Sequence, residues 1–215
     1  MNDNFKVFSQ FLGLGKVNSK LWFVEIEEYG ETIKERGLAD QLKYRSEQRS
    51  YFNNAPDKSP VWKAIVELLY QKYSKSNKPS MGDFRKELFL DEEHSHFFLT
   101  DLMPLPQSNP QDWSDKYKKL FGYGKDDYLK YLSDVRSTRY PIIYRKWKEV
   151  KPRVTVCFGS SHWDEYVNLF NLGHSSFEVL NGHRYFPGEN IYLVQFRNDS
   201  MMDGERELLG PRIGS

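Results

Sequence analysis

The chain has 215 residues, of which 39% are hydrophobic and 28% charged, a composition typical of a globular protein with one medium-sized domain. Its one cysteine, Cys157, excludes an internal disulfide, a cysteine-ligated iron–sulfur cluster and a four-cysteine zinc site. No apolar run approaches the roughly 20 residues that span a bilayer, and the first residues lack the features of a signal peptide. We therefore expect a monomeric cytoplasmic protein with no membrane partner, no metal and no cofactor.

The charge is unevenly distributed along the chain. The formal net charge is +1, yet residues 115–153 contain 12 basic and 5 acidic side chains, an excess of 12 − 5 = +7. The rest of the chain therefore carries a formal net charge of 1 − 7 = −6. Such a basic segment suits the binding of phosphates, and it is equally typical of solvated helix faces. The 34 aromatic residues (15 Phe, 14 Tyr, 5 Trp) can fill a core or stack on flat ligands such as bases.

Four short apolar runs predict buried strands: Leu21–Ile26, Phe97–Leu102, Val154–Phe158 and Ile191–Phe196. Helical spacing is found around Trp62–Tyr73, Tyr128–Leu132, Ile143–Trp147 and Trp163–Phe170. The pair Asn181-Gly182 lies between two short runs and predicts a β-hairpin. Strands that alternate with helical connections indicate a three-layer α/β/α fold with a central, mainly parallel four-stranded sheet. We take residues 1–215 as one domain, with a basic helical insertion at about 103–153.

In such sheets ligands bind beyond the carboxyl ends of the strands, so the loops at those ends are the first places to inspect. The first loop carries four carboxylates within seven residues: Glu25, Glu27, Glu28 and Glu31. Their mutual repulsion can raise a pKa and provide a general base, although a solvated acidic turn has the same composition. In the second loop Asp101 follows apolar residues, which predicts partial burial and a role either as a loop cap or in reading a base.

The two remaining loops offer contacts for nucleic acid. Ser160 and Ser161 open a helix, where backbone N–H groups can hold a phosphate or Ser161 can act as the N-cap. In the last loop Arg197 can reach a phosphate or a base, and Met201 and Met202 can wedge into a base stack or simply fill a core. His94 and His96 have no third ligand spaced nearby, so we expect no metal site.

The order and character of these four motifs resemble the uracil-DNA glycosylase superfamily over roughly residues 20–205. The family's first motif follows strand one, where this chain has Glu25-Ile26-Glu27-Glu28-Tyr29-Gly30. The resemblance implies that Glu27 is the water-activating acid, with Glu28 as its rival. It also implies a base pocket formed by Ile26, Tyr29 and, through a looser match, Phe52.

At the second motif Asp101 replaces the asparagine that reads the uracil edge in the family. In the last motif Phe196-Arg197-Asn198 replaces a histidine-containing loop, so the family's anion-stabilising histidine is missing. Arg197 and Asn198 are then expected at the base pocket. The resemblance places Ser108, Ser160, Ser161, Arg197 and Ser200 on the DNA backbone.

The change from asparagine to Asp101 favours a cytosine-type base. Cytosine presents an N4 amino donor and an N3 acceptor, and a carboxyl group that shares one proton with N3 satisfies both. Because excision of ordinary cytosine would be lethal, the expected substrate is a modified cytosine. In this respect the chain resembles the phage-defence (Brig-type) branch, which removes glucosylated hydroxymethylcytosine. The expected activity is monofunctional hydrolysis of a flipped-out base, which leaves an abasic site.

Three other functions remain open on the sequence alone. One is a uracil or mismatch DNA glycosylase of base-excision repair. Another is an inactive member of the superfamily that binds nucleic acid or a protein, which the irregular first motif favours. The third is a nucleotide-binding α/β enzyme unrelated to DNA, against which the absence of a G-x-G-x-x-G motif and of a P-loop counts.

Overall fold

The computed structural model describes residues 1–27, 35–47, 66–67, 69–70, 80, 83–84, 97–105 and 115–195. These residues form an α/β fold. The helices are α1 (Asp3–Gln10), α2 (Glu35–Ser46), α3 (Asp115–Phe121), α4 (Tyr128–Val150) and α5 (Trp163–Phe170). The strands are β1 (Leu14–Gly15), β2 (Leu21–Glu27), β3 (Phe98–Met103), β4 (Val154–Phe158), β5 (Glu178–Leu180), β6 (His183–Phe186) and β7 (Ile191–Val194).

The sheet is mixed and has seven strands in the order β1-β3-β2-β4-β7-β6-β5, so the expectation of four strands is wrong in number. The four apolar runs form its centre, where β3, β2, β4 and β7 pair in parallel. At one edge β1 adds a two-residue antiparallel strand, which is too short to leave a periodic signal in the sequence. At the other edge the β5–β6 hairpin extends the sheet through antiparallel pairing with β7.

Apolar side chains pack against both faces of the sheet. Connections that run in opposite directions along a parallel sheet cover opposite faces, because crossovers are right-handed. Accordingly α4 and α5, which lead from β3 to β4 and from β4 to β7, pack on one face, together with α1 and α3. The connection from β2 to β3 supplies Val66, Leu69 and Phe84 to the other face. Trp22 and Val24 of β2 point to the first face, and Phe23 between them points to the second.

Two predicted helices are in fact one, because α4 runs without interruption through Tyr128–Val150 and contains Pro141. Five of its six buried residues recur at every fourth position: Tyr131, Val135, Arg139, Ile143 and Trp147. This is the inward stripe of a single helix. Since the middle member of the stripe is an arginine, the apolar pattern is broken there and the sequence suggested two pieces.

Arg139 joins the N-terminal helix to the end of β3. It is buried, and its guanidinium donates hydrogen bonds to the carbonyl oxygens of Phe11 at 2.6 Å, Ser9 at 3.2 Å and Asp101 at 2.8 Å. Burial lowers the pKa of Arg139 to about 10, and the nearby Asp101 carboxylate partly opposes that shift. The guanidinium therefore provides hydrogen-bond donors to main-chain oxygens of two elements at once.

The hairpin predicted at Asn181-Gly182 is confirmed. Both residues have positive φ, 51° and 83°, as a two-residue hairpin turn requires, and they connect β5 to β6. The helix predicted after Gly159 is also present, as α5. No helix in the described part of the chain is long and apolar enough to cross a membrane.

Candidate functional site

The order of the parallel strands identifies one place where a ligand crevice is expected. Numbered along the chain, these four strands lie in the order 2-1-3-4, so the chain leaves the first and the third strand toward opposite sides. In such sheets ligands bind outside the carboxyl ends of the strands at this switch point. Here the switch point lies between β2 and β4. We use the name carboxyl edge for the carboxyl ends of these two strands and of the neighbouring β3. The loops predicted to carry chemistry begin there.

Two carboxyl groups lie buried side by side at this edge. Glu25 of β2 is the register partner of Asp101 of β3, and each side chain is only 6% exposed. Partner residues on neighbouring parallel strands point to the same face, with about 4.8 Å between the strands. Glu25 and Asp101 therefore lie within β2 and β3, as the predicted strand bounds Leu21–Ile26 and Phe97–Leu102 have it, and not in the loops that follow. Neither a solvated acidic turn, for Glu25, nor an exposed loop cap, for Asp101, fits this burial.

The predicted catalytic acid, Glu27, lies two residues after Glu25. Glu27 is the last residue of β2 and pairs in register with Met103 of β3. Several other predicted site residues lie outside the described residues, namely Glu28, Tyr29, Phe52, Ser108, Arg197, Asn198, Ser200, Met201 and Met202. The described part of the site is therefore its strand floor, together with the turn after β4.

Ile26 contacts the turn after β4 and does not face Asp101. Because side chains alternate along a strand, Ile26 points to the face opposite Glu25, and it packs against the core on that face. Gly159 follows β4 with φ at +107°, and a Cβ added there would lie 2.4 Å from Cδ1 of Ile26. Only glycine fits this close approach at low cost. The contact brings the ends of β2 and β4 together at the switch point.

The predicted phosphate contacts Ser160 and Ser161 lie in a 3-10 turn that precedes α5. The turn covers Ser160–His162, and both serines are exposed. The expected N-cap role of Ser161 is wrong, because the N-cap residue of α5 is His162. The His162 side chain makes no capping hydrogen bond. Instead the Ser161 hydroxyl lies 2.9 Å from Nδ1 of His162. Burial lowers the pKa of His162, and Glu165 partly opposes that shift, so the imidazole is predominantly neutral at pH 7.

A polar cluster beside this turn was not found from the sequence. Glu165, in the first turn of α5, accepts hydrogen bonds from the Arg136 guanidinium and, at 2.9 Å, from the Tyr140 hydroxyl. Burial acts to raise the pKa of Glu165, but these two donors outweigh it and hold the pKa below its usual value. Arg136 and Tyr140 are four residues apart on α4, so they lie on the same face of the helix. This spacing was the one sequence feature that could have predicted the cluster.

Metal and thiol chemistry find no support in the described part of the molecule. No group of three or more His, Cys, Asp or Glu side chains there could hold a metal ion. Cys157 is fully buried in β4, and burial raises the pKa of its thiol well above the usual value. A thiol in that state is a poor nucleophile.

Compared with known proteins, the chain matches no protein-family model and no curated protein. Function is therefore argued from the site itself, which consists of a buried carboxyl pair, an acidic strand end and a glycine-bearing turn at one switch point.

Proposed function

We propose that the protein is a monofunctional DNA glycosylase that hydrolyses the N-glycosidic bond of a modified cytosine and leaves an abasic site. The observation that carries the proposal is the burial of Asp101 in β3, two residues before that strand ends, in register with the strand that ends at Glu27. A base reader and a water-activating acid on neighbouring strands are what the resemblance to the uracil-DNA glycosylase superfamily requires.

Asp101 would determine which base is accepted. Its carboxyl group can accept a hydrogen bond from the N4 amino group of cytosine and share a proton with N3. An ionised carboxylate would instead repel O4 of uracil. Protonation at N3 also makes the base a better leaving group, which matters because the family's anion-stabilising histidine has no counterpart in this chain.

Glu25 is proposed as a positioning residue. It occupies the place of a glycine in the family's first motif, and it puts a second buried carboxyl group beside Asp101. Glu25 would act by fixing the place of the Asp101 side chain on this face of the sheet. The proton that Asp101 shares with N3 is then taken up only when a cytosine-type base is bound.

The remaining steps follow glycoside hydrolysis in general. The nucleotide leaves the duplex and enters the crevice, at a cost of a few kcal/mol. Glu27 orients a water molecule and stabilises the positive charge that develops on the sugar. The four motif loops (residues 25–31, 100–110, 158–163 and 196–203) contain no lysine that could form a Schiff base, so strand cleavage by the enzyme itself is not expected.

Incubation with defined DNAs tests this function directly. Duplexes that contain cytosine, 5-hydroxymethylcytosine, its glucosides or uracil at one position are treated with the protein, and alkali-labile sites are scored on a gel. We expect cleavable sites only in DNA with a modified cytosine. Glu27→Gln should lower the rate of base release by roughly 10²–10⁴-fold without loss of DNA binding. The matched control is Glu178→Gln, an exposed glutamate of the β5 strand, which should leave the rate unchanged.

Other results would support the alternatives. Efficient release of uracil would favour a repair glycosylase. Binding of DNA without release of any base from the whole panel would favour an inactive nucleic-acid-binding member, for which the departure from the glycine at Glu25 is the supporting observation.

A further inference from the structure

A basic cavity lies at the amino-terminal ends of the parallel strands, opposite the carboxyl edge. It has a volume of about 720 Å³ and is formed where β2, β4 and β7 begin. Among the described residues, four cationic ones line it, Lys20, Lys148, Lys151 and Arg153, together with Glu189. These five residues carry a formal net charge of 4 − 1 = +3. We call this place the amino edge cavity.

The chain brings these cations together through main-chain contacts. The carbonyl oxygen of Lys20 accepts hydrogen bonds from the N–H groups of Arg153, at 2.7 Å, and Val154, at 3.1 Å. This arrangement holds the residue before β2 beside the residue before β4. Lys148 and Lys151 approach from the C-terminal end of α4, where Lys151 adopts a left-handed conformation with φ at 50°.

The helix end explains only part of this charge. Cations near a helix C-terminus are stabilised by the helix dipole, which is reason enough for Lys148. Lys20 and Arg153 lie outside that helix and gain nothing comparable from it. Lys20 and Arg153 are exposed, so their charges lie at the surface rather than inside the core.

The cavity also has a rigid aromatic wall. Trp147 is 7% exposed, and its indole N–H donates a hydrogen bond of 2.9 Å to the hydroxyl of Thr155 in β4. Lys148 Nζ lies 5.4 Å from the centre of the Trp147 ring, so this ammonium group is held above the wall. A volume of this size is within the range of pockets that bind small molecules.

We propose that the amino edge cavity is a binding site for phosphate groups, sized for one nucleotide unit. Clustered lysine and arginine side chains are the groups that proteins use to bind phosphates. Two sources present this chemistry, a free nucleotide and the backbone of a nucleic-acid strand. The site is independent of the proposed glycosylase chemistry, since it lies at the other end of the strands.

Binding experiments on the intact protein test the proposal. Pyrophosphate, ADP and a short single-stranded oligonucleotide are titrated separately by calorimetry at low ionic strength. We expect saturable binding of pyrophosphate and of at least one of the other two probes. Lys20→Gln/Lys148→Gln should weaken that binding at least about tenfold, because it removes two charged hydrogen-bond donors. The control Lys118→Gln/Lys125→Gln removes the same charge from exposed lysines elsewhere in the basic segment and should have little effect.

Substitutions at Gly188 separate charge from bulk. Gly188 lines the cavity, and a Cβ added there meets no atom within 4 Å, so larger side chains fit without disturbing the fold. Gly188→Glu should weaken phosphate binding several-fold, whereas Gly188→Gln, which has the same size and no charge, should preserve it.

The outcomes are distinct. Preference for ADP would assign the site to a free nucleotide, and preference for the oligonucleotide would assign it to a nucleic-acid strand. Absence of saturable binding for all three probes would overturn the proposal, as would binding that the pocket variants and the control variants weaken equally. Base release is not measured, so failure here leaves the glycosylase proposal standing.

Discussion

The two edges of the parallel sheet differ in the exposure of their charges. At the carboxyl edge Glu25 and Asp101 are buried, and so is the cation Arg139, which donates a hydrogen bond to the main-chain oxygen of Asp101. At the amino edge the cations Lys20, Lys148, Lys151 and Arg153 are exposed around a cavity. Burying a charge is costly unless it is paired or hydrogen-bonded, whereas an exposed charge costs little. Changes to the buried charges should therefore affect stability more than changes to the exposed cations.

The buried cation Arg139 sharpens this contrast most strongly. Arg139→Leu should lower the free energy of unfolding by about 3–5 kcal/mol, because several main-chain carbonyls lose their buried donor. The same change at the exposed amino edge, Arg153→Leu, should cost less than about 1 kcal/mol. Urea denaturation of both variants measures the difference. Equal effects would contradict the distinction between the two edges.

The glycines of the two edges should also differ in their tolerance of a side chain. Gly159→Ala at the carboxyl edge places a Cβ against Ile26 at a positive φ, so we expect a loss of about 1–3 kcal/mol. Gly188→Ala at the amino edge adds a Cβ to open space, and the expected change is within about 0.5 kcal/mol. Thermal unfolding followed by circular dichroism compares them. A stable Gly159→Ala variant would show that β2 and β4 do not need their close approach.

Glu165 predicts a smaller effect that depends on pH. Its folded-state pKa lies below the unfolded value, so its stabilising contribution is complete above the unfolded value and is lost as the pH falls through the folded value. Glu165→Gln should therefore cost about 1–2 kcal/mol at pH 7. The gap to the wild type should narrow once the pH falls below about 4.5.

Urea denaturation at pH 7, 5 and 3.5 measures this gap. The matched variant at the amino edge is Glu189→Gln, which keeps an acceptor for the Ser175 hydroxyl and should have the smaller effect at pH 7. A gap for Glu165→Gln that stays constant over this range would show that the ion pair with Arg136 does not stabilise the folded state.

Much of the sheet could be predicted because its central strands are continuous apolar runs. The strand Val154–Phe158 is present with the predicted bounds, and the hairpin turn at Asn181-Gly182 is one that only a few residue types allow. The single long helix α4 was missed because Arg139, although buried, is polar by type. Its burial depends on carbonyls of α1 and β3, which no local pattern encodes.

The candidate site was predictable only in part. The carboxyl edge followed from the rule for parallel sheets, and Asp101 followed from its apolar neighbours. The pairing of Glu25 with Asp101 did not, because register between strands 76 residues apart is set by the whole sheet. The Glu165 cluster joins two helices and was equally invisible to local reasoning.

Single-turnover base release by Asp101→Asn shows whether Asp101 reads a cytosine-type base, as we propose. Wild type and variant are compared on duplexes with glucosylated hydroxymethylcytosine and with uracil, and exposed Asp126→Asn serves as the matched control. We predict that Asp101→Asn releases the modified cytosine at least about 100-fold more slowly than the wild type and gains activity on uracil. A loss of this size is typical of an unpaired buried polar group in a recognition site. Efficient release of uracil by the wild type, unchanged in Asp101→Asn, would show that Asp101 does not select the base.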